Sequence, residues 1–232
     1  MTATTIEAVD HKARGAGSRE SILASIRQNL ETSNALQNTH VQSNVNNALP
    51  LTTALSLDAL INSFKTNLES VGGHCHVVLS ESEASETIRK IIANLDAARV
   101  AISDSDLVAS ITSSLSGVEI VKSADPEYLF SSDIGITGAQ WAIAETGTLV
   151  LESDSERHRL TSLIPPVHIC ILEADNIRHS MGEILEIVHN DLSRTVTFIT
   201  GASRTSDIEL TLAIGVHGPR ELHVIVIDNH RP

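Results

Sequence analysis

The sequence predicts an α/β protein: a mostly parallel sheet with helices on both faces, extra antiparallel hairpin strands, and an N-terminal helical arm. Three observations predict it. Between residues 57 and 121, amphipathic helical patterns alternate with short aliphatic runs in a βαβαβ order. The runs are near-continuous Val and Ile, as strands covered on both faces require. Two links, Glu145–Gly147 and His217–Arg220, are too short for crossovers and therefore predict hairpins.

The elements follow in order. Residues 1–17 are polar and aperiodic. Ser18 can cap a short helix whose Ile22, Leu23, Ile26 and Leu30 share one face, with Glu20 near the positive end of the dipole. From Thr32 to Pro50 the composition turns to Asn, Gln, Ser and Thr, which predicts a flexible linker. The division is thus an arm and linker over 1–50 and an α/β domain over 51–232.

Within that domain, Ser56 precedes a helical pattern (Leu57, Leu60, Ile61, Phe64, Leu68) that stops at Gly72-Gly73, where a left-handed cap is easy. A strand is expected at 74–79, a helix at 82–95, a strand at 99–103, a helix at 104–115 and a strand at 118–121. Further short aliphatic runs lie at 133–137, 141–144, 148–151, 167–172, 196–200, 212–216 and 222–227. A helix is expected over about 176–190.

Composition narrows the function. Sixteen Lys+Arg against 29 Asp+Glu give a net charge of −13, which repels nucleic-acid backbones and anionic membranes. Three Phe, one Trp and one Tyr are too few to build stacking platforms for single strands. No nucleic-acid partner is expected. Two Cys make neither a disulfide framework nor the four thiolates that usually hold an iron–sulfur cluster, so a reducing compartment is expected. No segment approaches the roughly 20 apolar residues of a membrane span, and the N-terminus has no apolar signal core. A cytoplasmic location is expected.

Four stretches carry candidate chemistry. In the first, Gly135 and Gly138 permit close backbone approach, and Thr137 brings a hydroxyl to a strand end, where open α/β sheets bind ligands. Glu145, followed by Thr146, Gly147 and Thr148, sits at a sharp turn. Its carboxylate is a candidate nucleophile or base directed into the same crevice, or a turn acid facing water. In the second, Arg157, His158 and Arg159 precede Thr161, Ser162 and the stiff Pro165-Pro166. Arg159 and Ser162 are candidates for binding a carboxylate or phosphate, against a solvated loop paired with Asp154 and Glu156.

The third stretch is GASRTSD, directly after the strand TVTFIT. Gly201, Ser203, Thr205 and the Arg204 guanidinium could form an anion cradle, although a capped turn uses the same residues. The fourth, HGPR at 217–220, reads first as a turn. His74 and His76 share one strand face, as do His168 and Cys170, but neither pair makes more than half a metal site. No dedicated metal site is expected, and Cys75 and Cys170 read as buried thiols.

The segments ITGAQWAIAETGTLVL, RLTSLIPPVHI, GASRTSDIE and GVHGPRELHVIVID, in that order from about 133 to 229, resemble the lactate-utilisation domain family. From 51 to 130 the resemblance is one of pattern. It implies the fold shared by ribose-5-phosphate isomerase, glucosamine-6-phosphate deaminase and CoA transferases. It also implies a bacterial three-protein system oxidising L-lactate to pyruvate, with a Cys-rich partner and a partner carrying ferredoxin-like cluster motifs. On that resemblance this chain is the cluster-free subunit, with no cofactor of its own and no redox activity alone. It is expected to bind a small carboxylate or to support the redox partners.

The resemblance assigns no catalytic residue. The candidates are Glu145 for catalysis, and Thr137, Gly138, Thr146, Gly147, Arg159, Ser162, Ser203, Arg204 and Thr205 for binding. The alternative is an autonomous CoA-transferase-like enzyme, in which Glu145 attacks a thioester to form an anhydride and then an enzyme-bound thioester.

Overall fold

The computed structural model describes residues 20–28, 55–122, 125–153, 159–190, 193–206, 212–215 and 217–230. The linker expected at 32–50, the ends of the arm helix, and Arg157 and His158 lie outside the described residues. The chain divides into two compact units, 1–52 and 53–232. In the first, residues 20–28 form helix α1, on which Ile22, Leu23 and Ile26 are exposed.

The second unit begins with α2 (Leu57–Ser70), whose N-cap Ser56 accepts a hydrogen bond from the amide of Ala59. It continues through β1 (His74–Val78), α3 (Glu81–Asn94), β2 (Arg99–Ile102), α4 (Asp106–Thr112) and β3 (Glu119–Val121). Then come α5 (Pro126–Phe130), β4 (Ile134–Gly138), β5 (Trp141–Ile143) and β6 (Thr148–Glu152). A 3-10 turn at Arg159–Ser162 leads into β7 (Val167–Glu173), and another into β8 (Ile177–Arg178). The unit closes with α6 (Met181–Asn190), β9 (Val196–Ile199), β10 (Arg204–Ser206), β11 (Leu212–Ile214) and β12 (Glu221–Ile227).

Six strands form one all-parallel sheet in the order β1-β12-β7-β4-β2-β3. Its two faces are covered by different layers. Ile225, Ile227, Ile169, Ile171, Ile134 and Ile136 pack on one side with Ile88, Ile91 and Ile92 of α3 and Val108 and Ile111 of α4. The alternate residues Leu222, Val224, Val226, Cys170 and Leu172 face the other side, against Ile61, Phe64 and Leu68 of α2 and Leu149 and Leu151 of β6. This alternation is why the central strands read as unbroken aliphatic runs.

A second sheet, β8-β5-β6-β9, stands on the α2 side. Its far face is covered by α6, with Ile184 and Val188 against Ile143 and Val150. The β5–β6 link is the expected antiparallel hairpin, and Gly147 adopts φ +65° in its turn. Two expectations are corrected. The His217–Arg220 link does not make a hairpin: β12 pairs in parallel with both β1 and β7, while β11 pairs with β10. A strand with Val224, Ile225 and Val226 all fully buried belongs inside a covered sheet, not at an edge. The helix expected from 176 starts only at Met181, because Ile177 and Arg178 first pair with β5. The short α5 was not expected; Asp125 caps it and Pro126 occupies its first position.

Candidate functional site

Gly135 is where the site begins. A Cβ there would overlap the carbonyl of Thr161, so only glycine lets the Arg159–Ser162 turn lie directly on the sheet. That contact brings Ser162 and Leu163 beside the second residue of β7, His168. On the other flank, His217, Gly218 and Pro219 lead into β12, whose Leu222 is the register partner of His168. Residues 197–204 complete the enclosure. The result is a cleft of about 300 Å³, lined by Ser162, His168, Thr200, Ser203, Arg204 and His217 among others.

The cleft therefore opens at the amino-terminal ends of β7 and β12, not at the strand end expected for Thr137. Thr137 is buried, and its hydroxyl lies 2.8 Å from Nε2 of His168. His168 is only 1% exposed, and its Nδ1 has no hydrogen-bond partner among the described residues. Burial pushes its pKa down to about 3, so the ring is neutral at physiological pH.

The 201–204 loop is held by the C-terminal end of α2. Gly201 (φ +77°) packs against Val71, and Arg204 donates from Nη2 to the Val71 carbonyl at 2.7 Å. Ser203 fixes the opposite flank: its amide donates to the Pro219 carbonyl, and its carbonyl accepts from the Gly215 amide, both at 2.9 Å. The Ser162 hydroxyl donates to the Arg159 carbonyl at 2.8 Å. At the β5–β6 turn, the Thr146, Thr148 and Thr200 hydroxyls follow one another at 2.7 Å, ending at the cleft.

The structure thus gathers Ser162, Ser203 and Arg204 in one cleft, with Thr137 one hydrogen bond behind it. Thr146 reaches the cleft through Thr148 and Thr200, and Gly147 serves the packing of its turn on Leu68. Glu145 is exposed, and its Oε1 accepts from the Met181 amide at the start of α6, at 2.9 Å. Arg159 is exposed beside the cleft, Gly138 is buried within β4, and Thr205 lies in β10 opposite Ala213. Neither Glu145 nor Arg159 lines the cleft.

Sequence reasoning missed His168, reading it only as half of a metal pair. A polar ring inside the apolar run VHICIL was the available signal, because a buried imidazole needs partners. Cys75 and Cys170 are both buried, and burial pushes the Cys75 thiol up to about 11, so it does not present a thiolate. Among the described residues, no group of three or more His, Cys, Asp or Glu is placed to hold a metal ion. No described helix is long and apolar enough to cross a membrane.

A parallel sheet carrying a second sheet on one face, with a small cleft between them, defines an α/β fold with a candidate ligand site. Residues 61–227 match the LUD domain, and the chain belongs to the LUD domain family. It is 34% identical over 185 residues to lactate utilization protein C of Deinococcus radiodurans, covering 77% of this chain and 84% of that one. It is 42% identical over 104 residues to an uncharacterized protein of Neisseria meningitidis, spanning 44% of this chain and 45% of that one. A solved structure of a DUF162 family protein from Deinococcus radiodurans superimposes with a TM-score of 0.59 at 26% identity, covering 75% of this chain and 99% of that one.

Proposed function

We propose that this chain serves lactate utilisation as the cluster-free subunit of an iron–sulfur system that oxidises L-lactate to pyruvate. In this reading it binds a small hydroxy or keto carboxylate, while Cys-rich and ferredoxin-like partners carry the electrons. The observation that carries the ligand class is the convergence of Ser162, Ser203, Arg204 and His217 on one cleft of about 300 Å³. That volume is at the small end of ligand pockets, and a guanidinium at its rim suits a carboxylate. The relationship over most of its length to a lactate utilization protein C supports the process. Two buried thiols support placing the clusters on other subunits.

The test is anaerobic co-purification of the chain with the products of its neighbouring genes, followed by lactate-dependent dye reduction with and without it. Activity that needs this chain, and falls on Arg204→Ala while the complex still assembles, supports the reading. Equal activity without the chain overturns it.

A further inference from the structure

We infer that His168 recognises the oxygen on the second carbon of the cleft's ligand, with Nδ1 accepting from a hydroxyl or donating to a keto oxygen. This rests on the small-carboxylate reading above and adds the residue that separates 2-hydroxy and 2-keto acids from plain carboxylic acids.

His168 lines the cleft, is 1% exposed, and leaves Nδ1 without a partner among the described residues. A buried ring nitrogen in that state costs free energy unless something completes it. The other ring nitrogen is already engaged, 2.8 Å from the Thr137 hydroxyl, which fixes the ring's orientation from behind. Two other polar groups of the cleft are committed to the scaffold: the Ser162 hydroxyl to the Arg159 carbonyl, and one Arg204 N–H to the Val71 carbonyl. A neutral imidazole brings no charge to a carboxylate, but it can pair with an uncharged oxygen as donor or as acceptor. Arg204, which offers further N–H groups at the rim, suits the carboxylate.

Thr137 makes the recognition two-sided. When its O–H donates to Nε2, the ring hydrogen resides on Nδ1, which then donates to a keto oxygen. The Thr137 hydroxyl also lies 3.9 Å from the Cys170 sulfur. When its O–H turns that way, Nε2–H donates to the Thr137 oxygen, and the Nδ1 lone pair accepts from a ligand hydroxyl. One nitrogen thus serves both oxidation states of a 2-oxygenated acid without a change of charge.

The full chain, labelled with ¹⁵N-histidine, is titrated with L-lactate, pyruvate and propionate, the last keeping the carboxylate but lacking the C2 oxygen. Lactate and pyruvate are expected to bind at least about 10-fold tighter than propionate. Nδ1 of His168 is expected to be protonated with pyruvate and unprotonated with lactate. His168→Phe is expected to bring both acids down to the propionate level, a loss of about 10- to 100-fold, with propionate unchanged.

Equal binding of all three acids to the wild-type chain overturns the role of His168 and leaves the carboxylate reading standing. A tautomer indifferent to the ligand overturns it in the same way, the behaviour of a nitrogen satisfied by a buried water. Binding of none of the three removes the carboxylate reading and this inference with it. If His168→Phe does not fold, Thr137→Val replaces it. A changed lactate-to-pyruvate affinity ratio then supports the proposal, and an unchanged one overturns it.

Discussion

Arg204 and Val71, 133 residues apart, are joined by one hydrogen bond that fastens the 201–204 loop to the C-terminal end of α2. The guanidinium lies over Gly72, where a Cβ would collide with it, and it meets the helix end whose carbonyls favour a cation. Arg204→Ala is expected to lower stability by about 1–2 kcal/mol, read from urea denaturation, because an exposed charge-assisted bond is lost. Arg204→Lys recovers less than half, since an ammonium does not reproduce the guanidinium's flat coverage of Gly72. An unchanged urea midpoint for the alanine variant would show that the contact contributes nothing.

Gly147 and Gly117 form a matched pair. Both have positive φ, +65° and +83°. A Cβ at Gly147 would overlap the backbone of Leu68 and Asn67, whereas nothing lies within 4 Å of one at Gly117. Gly117→Ala is expected to cost about 1 kcal/mol of backbone strain. Gly147→Ala is expected to cost more than about 3 kcal/mol, because backbone must move. Equal thermal shifts for the two variants would contradict this.

Acid is expected to destabilise the fold through partly and fully buried histidines. His223 stacks on His74 with ring centroids 4.7 Å apart, and its Nδ1 lies 3.3 Å from Nε2 of His76. Burial first, and then the neighbouring His74, lower the pKa of both His76 and His223, the latter to about 4. Between about 4 and the ordinary value of 6.5, the unfolded chain therefore binds more protons than the folded one. Stability is intact above about pH 6.5 and declines as the pH falls toward 4, with His168 adding to the decline. Urea midpoints at pH 7.5, 6 and 5 measure the slope. His223→Gln is expected to flatten it, and an unaltered slope would exclude this residue as its source.

At Glu145 the expected effect is on α6. Its carboxylate accepts the Met181 amide at a helix N-terminus, an arrangement that favours negative charge. Glu145→Ala should therefore cost about 0.5–1 kcal/mol and increase amide exchange in the first turn of α6. Unchanged exchange there would argue that the contact does not hold the helix end.

The parallel core was legible because burial on both faces leaves a direct trace, the unbroken aliphatic run. The His217–Arg220 link was misread because loop length alone does not say which strand receives the next one. The place of β12 is set by hydrogen bonds to β1 and β7, distant in sequence. In the site, Ser203 and Arg204 were legible as a polar turn after a strand. The cleft's position at the amino ends of β7 and β12 was not, because it depends on Gly135 admitting the Thr161 backbone, a contact between segments with no local signature. His168 was hidden for a related reason: its partner Thr137 sits on another strand, 31 residues away.

The fastening of α2 by Arg204 also orders events in time. α2 leaves the ribosome before the loop that closes its end, which is 133 residues further along the chain. At ordinary rates of translation this is an interval of roughly 7–27 s. Throughout it, the apolar face carrying Ile61, Phe64 and Leu68 lacks β12, whose Leu222, Val224 and Val226 share its cluster. The nascent chain is therefore open to chaperone capture in that interval, and substitutions that remove the Arg204 contact should leave the end of α2 unfastened beyond it.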